Sequence, residues 1–311
     1  MQRVLVLGGS GFLGSYVVDE LCLAGHHVLS LDRYPERFRP LRDEVEFYQA
    51  DFGNRGELEK ILKAGVDVVV HLVSSTVPQT SNEDPIFDVQ SNVVESIALF
   101  EMCVKYAVKK VVFVSSGGTV YGIPERQPIP ENHPTLPLCS YGVTKLTIEH
   151  YLHLFYVLYG LKYSILRLSN PYGARQDPRG KQGAVTVFMN RILRNEEITV
   201  WGDGSVVRDY IHASDFARAC VAVIDSEKIG VYNVGSGVGL SINQLLSALQ
   251  EVTGKIAKVK YLPGRNFDVP ELYLDCSRIA EELGWAAQVD FNDGLLQMSE
   301  WMRAQFVAER L

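Results

Sequence analysis

Apolar residues fall along this chain in short runs separated by longer mixed stretches. Arg3–Leu7, His27–Leu31, Val45–Gln49, Val66–Leu72, Lys110–Ser115 and Tyr163–Leu168 are of strand length and mostly dense in Val, Leu and Ile. Strands apolar on both faces are buried on both faces, as in a parallel sheet covered by helices. Amphipathic stretches separate most of these runs, and that alternation predicts an α/β fold built on a doubly wound parallel sheet. Between Asp88 and Ala107, apolar Val93, Ile97, Phe100 and Val104 recur three and four apart, predicting a helix with one buried stripe. From Leu146 to Tyr159 a second helix is apolar almost all round, so it is expected to meet the sheet on one side and a second subunit on the other.

The pattern changes after Asn170. Pro171, Gly173, Pro178, Gly180 and Gly183 predict a long loop, then a helix near Val185–Asn195, a strand Ile198–Trp201 and a turn at Gly202-Asp203-Gly204. Ser241-Ile242-Asn243-Gln244 reads as a capping box opening a helix that stops at Gly254, and Gly284 closes a helix begun near Ser277. Two units are expected, residues 1–170 and a smaller mixed α/β unit, 171–311. They interleave, because Val231–Val234 reads as a strand returning to the first unit.

Two short strings carry chemistry. Gly8-Gly9-Ser10-Gly11-Phe12-Leu13-Gly14 follows the first strand and opens a helix expected from Phe12 to Ala24. Glycines there allow a tight turn, bring bare N–H groups to a pyrophosphate and pack the helix closely on the sheet, its positive end toward the phosphates. Asp32 ends the second strand, 18 residues after Gly14. A carboxylate there accepts hydrogen bonds from an adenosine ribose and repels a 2′-phosphate, which favours NAD over NADP. Arg33 beside it pulls the other way, being able to pair with a phosphate.

The second string is Tyr141-Gly142-Val143-Thr144-Lys145. Residues four apart share a helix face, so Lys145 is placed to stabilise a Tyr141 phenolate. A phenol of ordinary pKa, ~10, needs such a cation to act as a base at neutral pH. Tyr106 and Lys110 repeat the spacing, but they precede a strand, whereas Tyr141 follows that strand's carboxyl end, where open α/β sheets bind ligands. Ser115 and Ser116 end the same strand, and the turn Gly117-Gly118-Thr119-Val120-Tyr121-Gly122 brings further hydroxyls to that crevice.

Composition removes several function classes. The 311 residues are 47% hydrophobic and 22% charged with a formal net charge of −7, so nothing draws the chain to nucleic acid or to an anionic membrane. No apolar run is long enough to span a bilayer, and no basic region with a long apolar run precedes the first strand, so no secretory signal is expected. The five cysteines are scattered, odd in number and without a C-x-x-C pair, which predicts a reducing, cytoplasmic setting with neither disulfides nor a metal site.

In these strings the chain resembles the extended short-chain dehydrogenases/reductases, and within them the UDP-glucose (UDP-galactose) 4-epimerases and their nucleotide-sugar relatives. The likeness runs through Gly8–Gly14, Asp32, Asp51-Phe52, Asn92, Ser115–Gly122, Tyr141/Lys145, Arg167-Leu168-Ser169-Asn170-Pro171-Tyr172-Gly173, Trp201-Gly202-Asp203-Gly204, Arg208-Asp209-Tyr210, Arg265 and Asp268. It implies a Rossmann fold with a smaller C-terminal substrate domain, NAD as cofactor, a UDP-sugar as substrate, and a homodimer through the helices near 89–107 and 141–159. Gly8, Gly11, Phe12, Leu13 and Gly14 would hold the pyrophosphate, Asp32 and Arg33 the ribose end, and Asp51 and Phe52 the adenine. Leu72, Val73, Ser74, Asn92 and Ser115 would line the cofactor beside Tyr141 and Lys145. Asn170, Arg208 and Arg265 would clamp the diphosphate, Val200 and Trp201 would face the uracil, and Asp268 and Leu272 would complete the substrate site.

Three departures bear on chemistry. Gly117 stands where many 4-epimerases have a serine or threonine, which leaves the proton-relaying hydroxyl to Ser116, Thr119 or a water. Leu7 replaces a usual threonine, a structural change. Leu272 stands where a tyrosine excludes 2-acetamido sugars and smaller residues admit them, leaving tolerance open with a lean towards admission. Gly118-Thr119 also lacks the Asp-Glu pair of the sugar dehydratases and the Glu of the decarboxylases, so the acid and base for elimination are missing. Oxidation and reduction at one carbon remain. The expected activity is NAD-dependent 4-epimerisation of a UDP-hexose; an NAD(P)H-dependent 4-keto nucleotide-sugar reductase and a non-catalytic NAD(P)-binding regulatory protein are the alternatives.

Overall fold

In a computed structural model, residues 1–180, 183–264 and 269–308 are described, the side chains of 307–308 excepted. Seven strands form one sheet: β1 (Arg3–Leu7), β2 (His27–Asp32), β3 (Glu46–Gln49), β4 (Val68–His71), β5 (Lys110–Ser116), β6 (Lys162–Leu168) and β10 (Gly230–Val234). Their order is β10-β6-β5-β4-β1-β2-β3 and every pairing is parallel. The order reverses between β1 and β4, and a crevice for a ligand opens at the carboxyl ends of such a switch point.

Alternation of side chains across a strand explains how both faces are filled. Val4 and Val6 face α1 (Phe12–Leu23) and α7 (Ala213–Asp225), sharing a core with Val17, Leu21, Phe216 and Cys220. Leu5 and Leu7 face the opposite layer, which comprises α2 (Arg55–Lys63), α4 (Glu95–Lys105) and α5 (Ser140–Tyr159). Leu7 is fully buried there. Burying a side chain of that size stabilises by about 1.5–3 kcal/mol, so this apolar position packs rather than reacts.

The helix expected between Asp88 and Ala107 is interrupted. α3 (Pro85–Asp88) is followed by a π-helical turn, Val89–Val94, before α4 begins. Apolar periodicity does not register the extra residue, because its cause is polar: Asp88 and Asn92 both turn inward, and Asn92 Nδ2 donates to the Asp88 side chain and carbonyl at 2.9 and 3.0 Å. The long loop expected after Asn170 likewise opens with a strand, β7 (Asn170–Tyr172), paired in parallel with Tyr210–His212. Its partner lies 40 residues away, beyond the reach of local pattern.

The remaining elements form a second core. α6 (Ala184–Arg194), α8 (Ile242–Thr253) and α10 (Phe291–Ala308) bury Met189, Leu245, Leu249 and Met298 together with Val200 of β8 (Glu197–Trp201). β7 and β11 (Gly239–Ser241) flank β9 (Val207–His212), which also pairs with β13 (Glu271–Leu272), while β8 pairs with β12 (Lys258–Leu262). Helix α8 carries the capping box at Ser241/Gln244 and ends at Gly254 with φ 68°, while α9 (Ser277–Leu283) ends at Gly284 with φ 65°. A left-handed residue at each end favours glycine.

Candidate functional site

The glycine string leads from β1 into α1. Gly8 has φ 85°, and the chain at Leu72 and Val73 passes within 3.4–3.7 Å of where its Cβ would stand. A Cβ on Gly14 would lie 2.0 Å from Gly8 O and 2.7 Å from Gly9 Cα, so the helix rests directly on the turn. Helix α1 starts from Gly11 without a side-chain cap, which leaves the first-turn amides at Phe12 and Leu13 for an anion. The Ser10 hydroxyl is buried beside them with no protein partner. A cleft of about 220 Å³ opens here, lined by Ser10, Gly11, Phe12, Arg175 and Asp177 among others. An uncapped helix start, an orphaned hydroxyl and a backbone cradle that a Cβ would fill suit a dinucleotide pyrophosphate.

Asp32 stands at the end of β2, where its Oδ2 accepts from Ser10 N at 3.1 Å, and burial raises its carboxyl pKa. Arg33 is engaged by Asp51, not turned toward Asp32. Both partners are half-exposed, and such a pair contributes little to stability. Its consequence is occupancy: the guanidinium the sequence offered to a 2′-phosphate already holds a carboxylate. Phe52 is buried with its ring 4.9 Å from that of His71. Leu72 and Val73 are partly covered, and Ser74 donates to Thr76 O at 3.0 Å. Asn92 is buried, and its Oδ1 holds Ser75 N at 2.9 Å. It therefore shapes the loop along the crevice, its amide being spent on the protein.

Tyr141 and Lys145 lie in the first two turns of α5. Tyr141 N donates to Ser81 Oγ at 3.0 Å; Lys145 Nζ donates to Val114 O at 2.9 Å and stands 4.8 Å from the Phe113 ring centroid and 5.6 Å from that of Tyr141. Burial pulls Lys145 down to about 8, opposed by Glu149 and Asp88. Burial also raises the Tyr141 phenol, with Cys139 and Asp88 acting in the same direction. The Lys145 ammonium, directed at a backbone carbonyl, does not offset that burial. Tyr106 and Lys110 do not form a second pair: Tyr106 OH donates to Glu59, while Lys110 Nζ is sunk among the carbonyls of Val223, Ser226 and Lys228.

Of the hydroxyls behind the tyrosine, Ser115 donates to Glu149 and is committed to the core. Glu149 in turn is the buried partner of Arg167, at 2.7 Å. Ser116 is partly covered, and Thr119 Oγ1 is buried without a partner. A Cβ on Gly117 would meet Leu274 Cδ1 at 2.6 Å and Arg167 O at 3.1 Å. The space of the missing serine is thus filled by Leu274, a compensation 157 residues away in the chain.

The residues expected to hold substrate lie mostly on the strands that follow Leu168. Asn170, Arg208 and Leu272 fall on adjoining strands, with Asn170 opposite Tyr210 and Leu272 opposite Arg208. Asn170 Nδ2 donates to Asp209 O at 2.9 Å, and Arg208 Nη1 donates to the carbonyls of Val207 and Val269 at 2.7 and 2.8 Å. Leu272 is 2% exposed, packed with Val120, Tyr121, Ile129 and Leu274. Trp201 is 44% exposed at the end of β8, whereas Val200 is buried. Arg265 and Asp268 lie outside the described residues. Among those described, no cluster of metal-ligating side chains occurs, and no helix is long and apolar enough to cross a membrane.

Two groups escaped sequence reasoning. Arg175, at φ 66°, pairs with Asp19 at 2.9 Å and lies 3.8 Å over the Tyr16 ring, tying the loop after β7 to α1. Asp88 binds the start of α5. The one local signal for it was a second inward polar residue, Asn92, four positions on.

The fold is shared with known proteins. The chain is 35% identical over 309 residues to a UDP-glucose 4-epimerase of Mycolicibacterium smegmatis, covering 97% of this chain and 99% of that protein. The crystal structure of a UDP-glucose 4-epimerase from Thermotoga maritima with UDP-glucose superposes with a TM-score of 0.93 at 37% identity, covering 98% of this chain and 99% of the other. A Thermus thermophilus UDP-glucose 4-epimerase in complex with NAD gives 0.90 at 34%, covering 97% and 99%. Residues 4–235 match the NAD dependent epimerase/dehydratase family, and to that family this chain belongs.

Proposed function

We propose that this protein is an NAD-dependent 4-epimerase of a UDP-hexose, with Tyr141 as its acid/base. The observation that carries the reading is the start of α5 against the end of β5, where Lys145 Nζ reaches Val114 O and stands over the Tyr141 ring, with no carboxyl side chain at positions 118–119. NAD, held by the glycine string and Asp32, supplies the acceptor and donor of hydride at the sugar's C4. Tyr141, ionised beside the Lys145 ammonium once the site is loaded, takes the C4 hydroxyl proton and gives it back once the sugar has presented its other face. With the residue 117 position filled by Leu274, the unpartnered Thr119 hydroxyl is our candidate to relay that proton, with Ser116 as the alternative. Arg208, steadied by two carbonyls, and Asn170 on the next strand carry the diphosphate. Residues 1–170 with β10 form the cofactor unit and the rest the sugar unit.

Purified protein is expected to carry bound NAD and to interconvert UDP-glucose and UDP-galactose without added cofactor. A requirement for stoichiometric NAD(P)H would establish the 4-keto reductase reading instead. A leucine at 272, in place of the tyrosine that excludes 2-acetamido sugars in related enzymes, presents less bulk and no hydroxyl, so UDP-N-acetylglucosamine should be turned over with kcat/KM within about a hundredfold of UDP-glucose, the ~1–3 kcal/mol that packing alone discriminates. Rejection by more than about a thousandfold would place the gate at another residue.

The active form we propose is a homodimer. Helix α5 buries Ile148, Leu152 and Phe155 inward and leaves Leu154, Val157, Leu158 and Tyr159 exposed, Val157 at 63%. Contiguous apolar surface of this kind marks an interface. Sedimentation should give twice the chain mass for the wild type and one chain mass for Val157→Arg; a monomeric wild type would rule the dimer out. The five unpaired cysteines suit the reducing cytoplasm.

A further inference from the structure

The Asp88 carboxylate is fully buried, at the junction of α3 and the π-helical turn. Its Oδ1 accepts from Thr76 Oγ1 at 2.5 Å and from Asn92 Nδ2 at 2.9 Å. Its Oδ2 accepts from Ser140 Oγ at 2.6 Å and lies 3.4 Å from Thr144 Oγ1, which donates to Tyr141 O at 2.9 Å. Ser140 and Thr144 are the residues immediately before Tyr141 and Lys145.

Helix α5 begins without a capping hydrogen bond from its own N-cap side chain, Cys139. Its first turn is held instead by a separate segment: Ser81 takes the Tyr141 amide, Asn82 Oδ1 takes the Ser140 amide at 2.9 Å, and Asp88 takes the Ser140 hydroxyl. An aspartate is a costly choice for a merely structural cap at so deep a site, since a buried charge has to recover its lost hydration from hydrogen bonds. A neutral acceptor would serve a cap as well.

We propose that Asp88 is the positioning residue of the acid/base pair: its buried carboxylate holds the Ser140 hydroxyl from outside the helix, beside Thr144, and so fixes where the Tyr141 hydroxyl and the Lys145 ammonium stand. Its negative charge has a second effect, favouring the ammonium at Lys145 and opposing a phenolate at Tyr141 until substrate and cofactor are in place. The other ionisable groups acting on the pair are Cys139 and Glu149, from the chain of α5 itself, and His71 at the end of β4, whose own pKa burial and Lys145 depress. None of these three holds the Ser140 hydroxyl. The inference rests on the reading of Tyr141 as acid/base, and it extends that reading to a residue outside the crevice.

Asp88→Asn keeps the shape and removes the charge. In the NAD-loaded enzyme it should lower kcat by about tenfold or more, the scale of a sub-ångström to ~1 Å misplacement of a reacting group, with KM within about threefold of wild type. A structural defect alone could lower kcat, so the deciding readout is the ionisation of Tyr141 in protein carrying 13Cζ-tyrosine, assigned as the resonance lost in Tyr141→Phe. Removing a charge that opposes the phenolate must move its midpoint to lower pH. Ser140→Ala keeps the charge but releases one contact, and should lower kcat without moving that midpoint. An unshifted Tyr141 midpoint with wild-type kcat in Asp88→Asn would overturn the proposal. So would wild-type kcat in Ser140→Ala, should the Asp88 variant fail to fold. The resonance is followed irrespective of turnover, so an active Tyr141→Phe enzyme would end the acid/base reading while leaving the Asp88 linkage separately measurable.

Discussion

Tyr141→Phe is expected to lower turnover by at least about 10²-fold while leaving the fold and the bound NAD in place, the usual scale for loss of a positioned acid/base group. The contacts that anchor this residue are made by its backbone, the amide on Ser81 and the carbonyl on Thr144, and both survive removal of the hydroxyl. The ring remains to pack against the Lys145 stem. Tyr106→Phe provides the control, because its hydroxyl is engaged at the protein surface by Glu59 and Lys105. Both variants would be assayed by UDP-galactose consumption and by cofactor absorbance of the purified protein. Equal losses from the two substitutions would move the chemistry away from α5.

Gly14→Ala should abolish NAD retention, weakening binding by about a hundredfold or more. The added methyl would stand 2.0 Å from Gly8 O and 2.7 Å from Gly9 Cα, and both contacts are backbone that no rotamer change can relieve. Helix α1 would have to lift off the turn and carry the Phe12 and Leu13 amides out of place, at an overpacking cost of about 1–3 kcal/mol. Gly11→Ala is the matched comparison, since its Cβ would meet only Gly8 O, at 3.3 Å. NAD content after purification, with titration calorimetry of the stripped proteins, separates the two. Wild-type content in Gly14→Ala would show that this contact does not hold the helix start.

The family resemblance drew attention to Gly117 as a lost hydroxyl, and the folded chain shows why a glycine belongs there. Leu274 occupies the volume, so restoring serine at 117 without trimming Leu274 forces the two together. The sign of the Tyr141 shift was likewise out of reach. A spacing of four says that Lys145 lies over the tyrosine, but the direction of the ammonium depends on Val114 O, 31 residues earlier in the chain.

Legible in the chain before folding is whatever repeats or clusters within a few residues. Apolar runs marked the buried parallel strands, since a strand covered on both faces has to be apolar at nearly every position. The glycine string and the Tyr/Lys spacing were legible for the same reason, each being a local backbone geometry with its own residue demands. Long-range packing settled everything else: the pairing of β7 with β9, the π-helical turn, the filling of Gly117 by Leu274, the engagement of Arg33 by Asp51, and the contact of Asp88 with the start of α5. Each of these depends on which distant side chain arrives at a buried position. Burial then sets the cost of every unpaired charge or void there, and no local period carries that information.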